Sequence, residues 1–441
     1  MLIQPNAHGA KRLQHAALYA AMLVLLPGTM QAAELDYTLG VSVLHTDNIG
    51  LVETNETSDT VVSPELTFNI AQTGSTLQFL AEGAIRYPYY MQDSFDSEVQ
   101  GAVAGTLNWN ILPERISFQA TNNLSRQSVN VLNSFVPDNQ QQVNVFSAGP
   151  TFHARFNPVT SGQLDLLYTN TYAQESTEFQ GDRFSAEAQV ERRLNSTDRL
   201  TFNAGALQTY YDSTGAFYDY TRYDAFVGYV SSLASVDIEI EAGYSQVKPR
   251  NYDGDSSSPL FRADVQWRVA SRTSLSAGFQ YEFSDAAQNL IYRNSPTEIP
   301  SVDEPLDRGL QIGPQTFRQR RATLGYSYTG ERISVRVNPY YERIRYLTVS
   351  TEDQDVKAVS AMLDWRLRPN LNLSLAAVRQ DREYRDILRD DTSTIVNLAL
   401  TREFSRHWSG RISVQRAERD SSSVTQSYTE NSAMLTMTYR R

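Results

Sequence analysis

The chain has 441 residues, a formal net charge of −11 and no cysteine. The missing thiols exclude a disulfide framework and thiolate metal ligation. The acidic balance argues against a nucleic-acid partner, for which a basic stripe is the expected footprint.

At the N-terminus, Lys11 and Arg12 precede an apolar run from Ala16 to Leu26, followed by Pro27, Gly28 and "TMQAAE". The run is about 11 residues, well short of the roughly 20 that span a bilayer as a helix. This is the layout of a secretory signal peptide, although Met30 and Gln31 stand where a small residue is usual. The expectation is a signal peptide over 1–33, cut near Ala32 or Ala33, and one domain over 34–441.

Beyond it the chain reads as strands. In "RISVRVNPYY", Ile333, Val335 and Val337 alternate with Arg332, Ser334, Arg336 and Asn338, so one face seeks hydrocarbon and the other water. Turn-like clusters recur about every 38 residues. They are "AQTGST", "LPER", "NPVTSG", "LNSTDR", "SSLAS", "VASRTS", "YTGER", "LRPN" and "SRHWSG". Each is flanked by two alternating segments, the pattern of a hairpin with one apolar and one polar face. The other ends of the hairpins are joined by longer polar segments, among them "IGLVETNETSDT", "NVLNSFVPDNQQQ", "NYDGDSSSP", "LRDDTS" and 284–317.

Short turns at one rim and long loops at the other are the asymmetry of outer-membrane barrels. The fold class predicted is therefore all-β: a transmembrane antiparallel up-and-down β-barrel of about 20 strands, with 18 the alternative, short periplasmic turns and long extracellular loops. Closure also removes the sheet edges that so many strands would otherwise expose. Trp109, Trp267, Trp365 and Trp408 all lie beside short turns. Tyr87, Tyr89, Tyr90, Tyr210, Tyr211, Tyr218, Tyr220, Tyr340, Tyr341 and Tyr346 lie toward the long loops, so two aromatic belts are expected.

The polar set is then the lumen wall. Its expected pore-lining residues are Glu82, Arg86, Arg155, Asp165, Glu187, Asp237, Glu239, Glu241, Arg262, Asp264, Arg268, Glu282, Arg332, Arg336, Asp364 and Arg366, with Gln78, His153, Gln189, Glu191 and Arg368 on the same face. That much charge requires a lumen at least partly wet. Both signs occur, so no simple ion selector is implied. The loop over 284–317 is expected either to fold inward as a constriction or to lie on the surface.

Catalytic patterns are weak. The five histidines show no paired spacing, no "GxSxG" elbow or phosphate loop occurs, and "DNIG" and "DGD" lack the spacing of a calcium loop. No enzyme activity, cofactor or metal is expected.

The first strand, "LDYTLGVSVLHTDNIGL", and the next apolar segment, "SDTVVSPELTFN", resemble the putative β-barrel porin 2 family, in which the first strand ends in a "TDN" element. The matching positions are Thr46, Asp47, Asn48, Ile49 and Leu51, then Ser58, Asp59 and Pro64. One departure is the last strand, "SAMLTMTYRR", where the aromatic Tyr439 is followed by Arg440 and Arg441. The resemblance implies a Gram-negative outer-membrane channel that exports an exopolysaccharide. Its partners would be the polysaccharide, a periplasmic polysaccharide-export protein, outer-membrane lipids and the barrel assembly machinery. A passive diffusion porin for small hydrophilic solutes and a structural or adhesive surface barrel are the alternatives.

Overall fold

The computed structural model describes residues 33–212, 218–251, 254–293, 310–348 and 351–441. The predicted signal peptide, apart from Ala33, lies outside the described residues. The strands are β1 (Glu34–Thr46), β2 (Asp59–Thr73), β3 (Leu77–Arg86), β4 (Tyr89–Tyr90), β5 (Gln100–Leu112), β6 (Ile116–Ser128) and β7 (Gln140–Asn157). They continue with β8 (Thr160–Ala173), β9 (Gly181–Arg193), β10 (Asp198–Tyr211), β11 (Tyr220–Ser232), β12 (Val236–Pro249), β13 (Ser256–Ala270) and β14 (Thr273–Asp285). After a short helix, α1 (Ala286–Arg293), come β15 (Thr316–Thr329), β16 (Ile333–Tyr346), β17 (Gln354–Arg368), β18 (Leu371–Tyr384), β19 (Arg389–Glu403), β20 (Trp408–Ser421) and β21 (Tyr428–Arg440).

Each strand pairs antiparallel with its neighbours, and β1 pairs with β21 from Thr38↔Arg440 to Thr46↔Ser432, which closes the ring. Pro88 has no N–H to give a ladder and breaks the third strand, so β3 and β4 both pair with β2 and form one stave. The barrel therefore has 20 staves, as the turn spacing predicts. All nine tight turns fall where the clusters place them, and bulges beside four of them, at Asn110/Leu112, Arg155/Asn157, Arg268/Ala270 and Arg366/Arg368, help the chain reverse.

The pleat sorts the side chains. Leu39, Val41 and Val43 of β1 face out with Leu435 and Met437 of β21, and Ile412 of β20 opposes Leu435. Ile412 is 59% exposed and Leu435 50%, values that a water-facing sheet would not sustain in a continuous apolar band. Phe68 lies over Gly83 on the next strand, where an added Cβ would stand 2.6 Å from the ring, so the ring covers backbone that glycine leaves bare.

The tryptophans share the outward register beside the short turns, paired as Leu77↔Trp109, Val236↔Trp267, Ile333↔Trp365 and Trp408↔Tyr439. Tyr439 joins this belt, its ring 5.3 Å from Trp408 and 5.8 Å from His407. The second belt needs correction. Tyr87, Tyr89, Tyr210 and Tyr341 stand on the outward set, but Tyr90, Tyr211, Tyr220, Tyr340 and Tyr346 have the inward register, and Tyr218 packs on an inward cluster. A tyrosine near a strand end serves either face, and only its parity decides which.

Candidate functional site

The expected lumen residues fall on the inward register, and the strand order sets their partners. The acidic β12 lies beside β13, so Glu241 opposes Arg262 and Glu239 opposes Asp264. The Arg262 guanidinium donates to Glu241 Oε2 at 2.8 Å and to Glu282 Oε2 at 2.6 Å, and Arg268 reaches Asp237 at 2.6 Å. The Arg268 and Asp237 side chains are 52% and 41% exposed, so this part of the wall is open to water. Glu187 opposes Asp165 on β8, Glu82 accepts from Asn69, and Arg86 donates to Gln100. Arg155 lies on the inward set at the end of β7, and Arg336 donates to Met362 Sδ. Asp364 accepts from Ser374 Oγ at 2.8 Å, and Arg366 faces Asn372. Arg332 differs from the expectation: β16 starts at Ile333, and Arg332 sits in the turn closed by Gly330 N–H donating to the Ile333 carbonyl, at the rim rather than in the wall.

A second sector of the wall is nearly uncharged. On β5 to β8 the inward positions include Asn108, Gln119, Asn123, Gln127, Ser147 and Thr151, with Asp165 held among Gln119, Thr151 and Gln163. The sequence signal is present in "ISFQATNNLSRQS", where Ser117, Gln119, Thr121, Asn123, Ser125 and Gln127 recur at every second position. Charge draws attention in such a reading and neutral amides do not.

The long-loop mouth is crossed from two sides. The described part of 284–317 folds inward: α1 leaves β14 and contacts β6 and β7 on the far wall. Ala286, Ala287 and Leu290 of α1 join Leu310 and Ile312, Val143 and Val145 of β7, and Phe317 and Ile344 in a dry cluster inside the ring. Burial of each large apolar side chain contributes about 1.5–3 kcal/mol. Asp285, fully buried, caps α1 by accepting the Gln288 N–H at 3.0 Å. It also accepts from Arg183 Nη1 and the Tyr220 hydroxyl, each at 2.6 Å. Sequence reading misses this anchor because Arg183 and Asp285 are 102 residues apart.

From the other side comes the loop 129–139, tied to itself by Asn139, whose Nδ2 donates to the carbonyls of Asn130 and Ser134. Gln311 Nε2 donates to the Val129 carbonyl at 2.9 Å and its Oε1 accepts from Val131 N–H at 3.3 Å. The Tyr384 hydroxyl donates to the Val131 carbonyl at 3.4 Å and Arg389 Nη1 to that of Leu132 at 2.6 Å. The two inward segments therefore brace each other over the lumen.

The "TDN" element locks the seam between the first and last strands. Thr46 donates to Glu430 at 2.7 Å, and Asn48, fully buried, donates from Nδ2 to the carbonyls of Val52 and Thr429 while its Oδ1 accepts from Val52 N–H. Burial alone would raise the Asp47 carboxyl. Hydrogen bonds from the Asn431 side chain and backbone outweigh that and hold it below the usual carboxylate range.

Among the described residues no group of three or more His, Asp or Glu is placed to hold a metal ion. Ser117 Oγ lies 3.1 Å from His153 Nε2, but among the described residues no carboxylate bonds the other ring nitrogen, so the orienting member of a hydrolytic triad is missing. What the arrangement can do is offer weak polar contacts along a wet wall beneath a braced mouth.

Comparison with curated proteins finds no match. Among solved structures, the chain is similar to the FrpB iron transporter from Neisseria meningitidis (F5-1 variant), with 8% identity over 92% of this chain and 82% of that one and a TM-score of 0.45. It is also similar to a mutant of the ferric enterobactin receptor PfeA from Pseudomonas aeruginosa, with 10% identity, 92% and 80% coverage and a TM-score of 0.48. The siderophore receptor PirA from Pseudomonas aeruginosa gives 11% identity, 93% and 81% coverage and a TM-score of 0.44. The family model described as "Putative beta-barrel porin 2" matches residues 322–441, from within β15 through β21, so the last part of the chain is similar to that family, and the chain is a β-barrel of the Gram-negative outer membrane.

Proposed function

We propose that this barrel is the outer-membrane conduit of an exopolysaccharide-export system, receiving the polymer from a periplasmic polysaccharide-export protein. The observation that carries this reading is the neutral amide and hydroxyl sector on β5 to β8. Asn, Gln, Ser and Thr exchange hydrogen bonds with sugar hydroxyls without the strong binding of a full charge, so a chain can step from site to site without being trapped. In the opposite sector Arg262 bridges Glu241 and Glu282 and Arg268 pairs with Asp237, while Glu239 faces Asp264 and Glu187 faces Asp165, so that side is acidic, and a neutral polymer carries no charge for it to hold or repel. The barrel contributes passage and no bond-making chemistry. The pore-lining residues of the wall would bound this passage.

A passive porin for small hydrophilic solutes is the second reading, favoured by the exposed ion pairs near the short-turn rim. Reconstitution in planar bilayers separates the two. Neutral oligosaccharides of increasing length, added from the short-turn side, should interrupt the current for longer as length grows. Residence independent of length contradicts the conduit.

A further inference from the structure

The outer surface of the barrel is not uniform. On β15 and β16 the lipid-facing register carries Ala322, Leu324, Tyr326, Val335 and Val337 and then, toward the long-loop rim, Arg318 and Arg320, Arg343 and Arg345. Lys357 of β17 and Arg379 of β18 continue the group on the same register. Elsewhere on the outward register the charges do not gather with one sign: Asp182 stands alone on β9 between Asn170 and Tyr210, and Arg126, Lys248 and Arg416 each lie within 4 Å of a carboxylate, of Glu98, Asp255 and Glu418.

Height places the group. Trp365, in the belt of the short-turn rim, and Asp355, paired with Arg343, are ten positions apart on β17 (365 − 355). At about 3.4 Å per residue and a strand tilt of about 40°, that is about 26 Å, close to the roughly 25 Å of the apolar band. The cations therefore stand at the level of the outer-leaflet headgroups.

Their side chains are held in place. Asp355, only 6% exposed, accepts from Arg343 Nε and Arg345 Nη2 at 2.8 Å and from Arg385 Nη2 at 2.5 Å, one carboxylate fixing three guanidinium groups. Arg320 stacks on Tyr281 at 5.2 Å and Arg318 on Phe283 at 5.4 Å. Among the described residues Arg318, Arg320 and Lys357 have no carboxylate within ion-pair distance, and the buried Arg318 Nε has no hydrogen-bond partner.

We propose that the outer face of β15 to β18 binds the phosphate groups of a phosphorylated glycolipid of the outer leaflet. Guanidinium groups match phosphate oxygens in geometry as well as charge, and the apolar rows below accept the acyl chains. The site is separate from the lumen and does not depend on what passes through it.

The test uses the full-length barrel in phosphatidylcholine nanodiscs doped with bis-phosphorylated lipid A or with its dephosphorylated form, with the lipid retained by the protein quantified by mass spectrometry. The phosphorylated lipid should be enriched, and R318A/R320A/K357A should weaken its retention roughly a hundredfold. Should that variant fail to fold, the exposed pair K357A/R379A should weaken it roughly tenfold or more. Equal retention of the two lipids, variants that retain as the parent does, or displacement of the lipid by inorganic phosphate would each overturn the proposal.

Discussion

Arg389 of β19 donates to the carbonyl of Leu132, in the loop after β6, at 2.6 Å across the mouth of the barrel. The same guanidinium grips Asp391 through two bonds of 2.8 and 2.6 Å, so its position is held by the strand as well as by the loop. Arg389→Ala removes the tether and leaves Asp391 buried without its partner, at a cost of about 3–5 kcal/mol. Tyr384→Phe removes the bond to Val131 and the one its hydroxyl accepts from Arg382 Nη1 at 3.2 Å, at a cost of about 1–3 kcal/mol. Protease cleavage within 129–139 and single-channel conductance should both rise, more for Arg389→Ala than for Tyr384→Phe.

Asp285 plays the corresponding part for α1. Asp285→Ala strips the helix cap and leaves Arg183 buried and uncompensated, so α1 should leave the lumen. Leu290→Ala removes only packing, at about 2–5 kcal/mol. Both variants should conduct more than the parent while their barrels remain folded by the gel mobility shift on heating. Unchanged conductance would show that α1 does not restrict the path.

Arg262 bridges two carboxylates and offsets one of their two charges, so Arg262→Ala leaves Glu241 and Glu282 without a cation in the lumen. The reversal potential in a KCl gradient should shift toward cation preference, and Arg262→Lys should restore most of the parent value.

The two faces predict opposite tolerance to charge. Leu398 faces lipid at the middle of β19, and Leu398→Arg should cost about 2–4 kcal/mol in reversible unfolding. Its neighbour Asn397 faces the lumen, and Asn397→Arg should cost little.

Asn48 joins the first loop to the last strand, and Asn48→Ala leaves the Thr429 carbonyl and Val52 N–H unpaired, at about 1–3 kcal/mol each where they stay buried. The adjoining Asp47 bonds are present above the ordinary carboxylate pKa and are lost as pH falls through the lowered value in the folded chain. Hydrogen exchange at the β1–β21 seam should therefore quicken in strong acid.

How far the sequence leads depends on the range of each interaction. Alternation and turn chemistry are local, so the hairpins, the closing strand and the inward set are legible, down to Arg262 and Asp237. Pairing is legible only after strand order is known, and the neutralisation of Glu241 by Arg262 depends on β12 lying beside β13. The mouth is not legible, because Tyr384 meets Val131 from 253 residues away. The outer arginines do carry a local signal: in "TFRQRRATL", Arg318 and Arg320 share the parity of Ala322 and Leu324, while Arg321 does not.

The most direct measurement compares a deletion strain with its parent for surface and released exopolysaccharide, alongside uptake of a small hydrophilic probe. Loss of polysaccharide with normal probe uptake is the predicted result. Normal polysaccharide with slowed probe uptake would contradict the conduit and leave a diffusion porin.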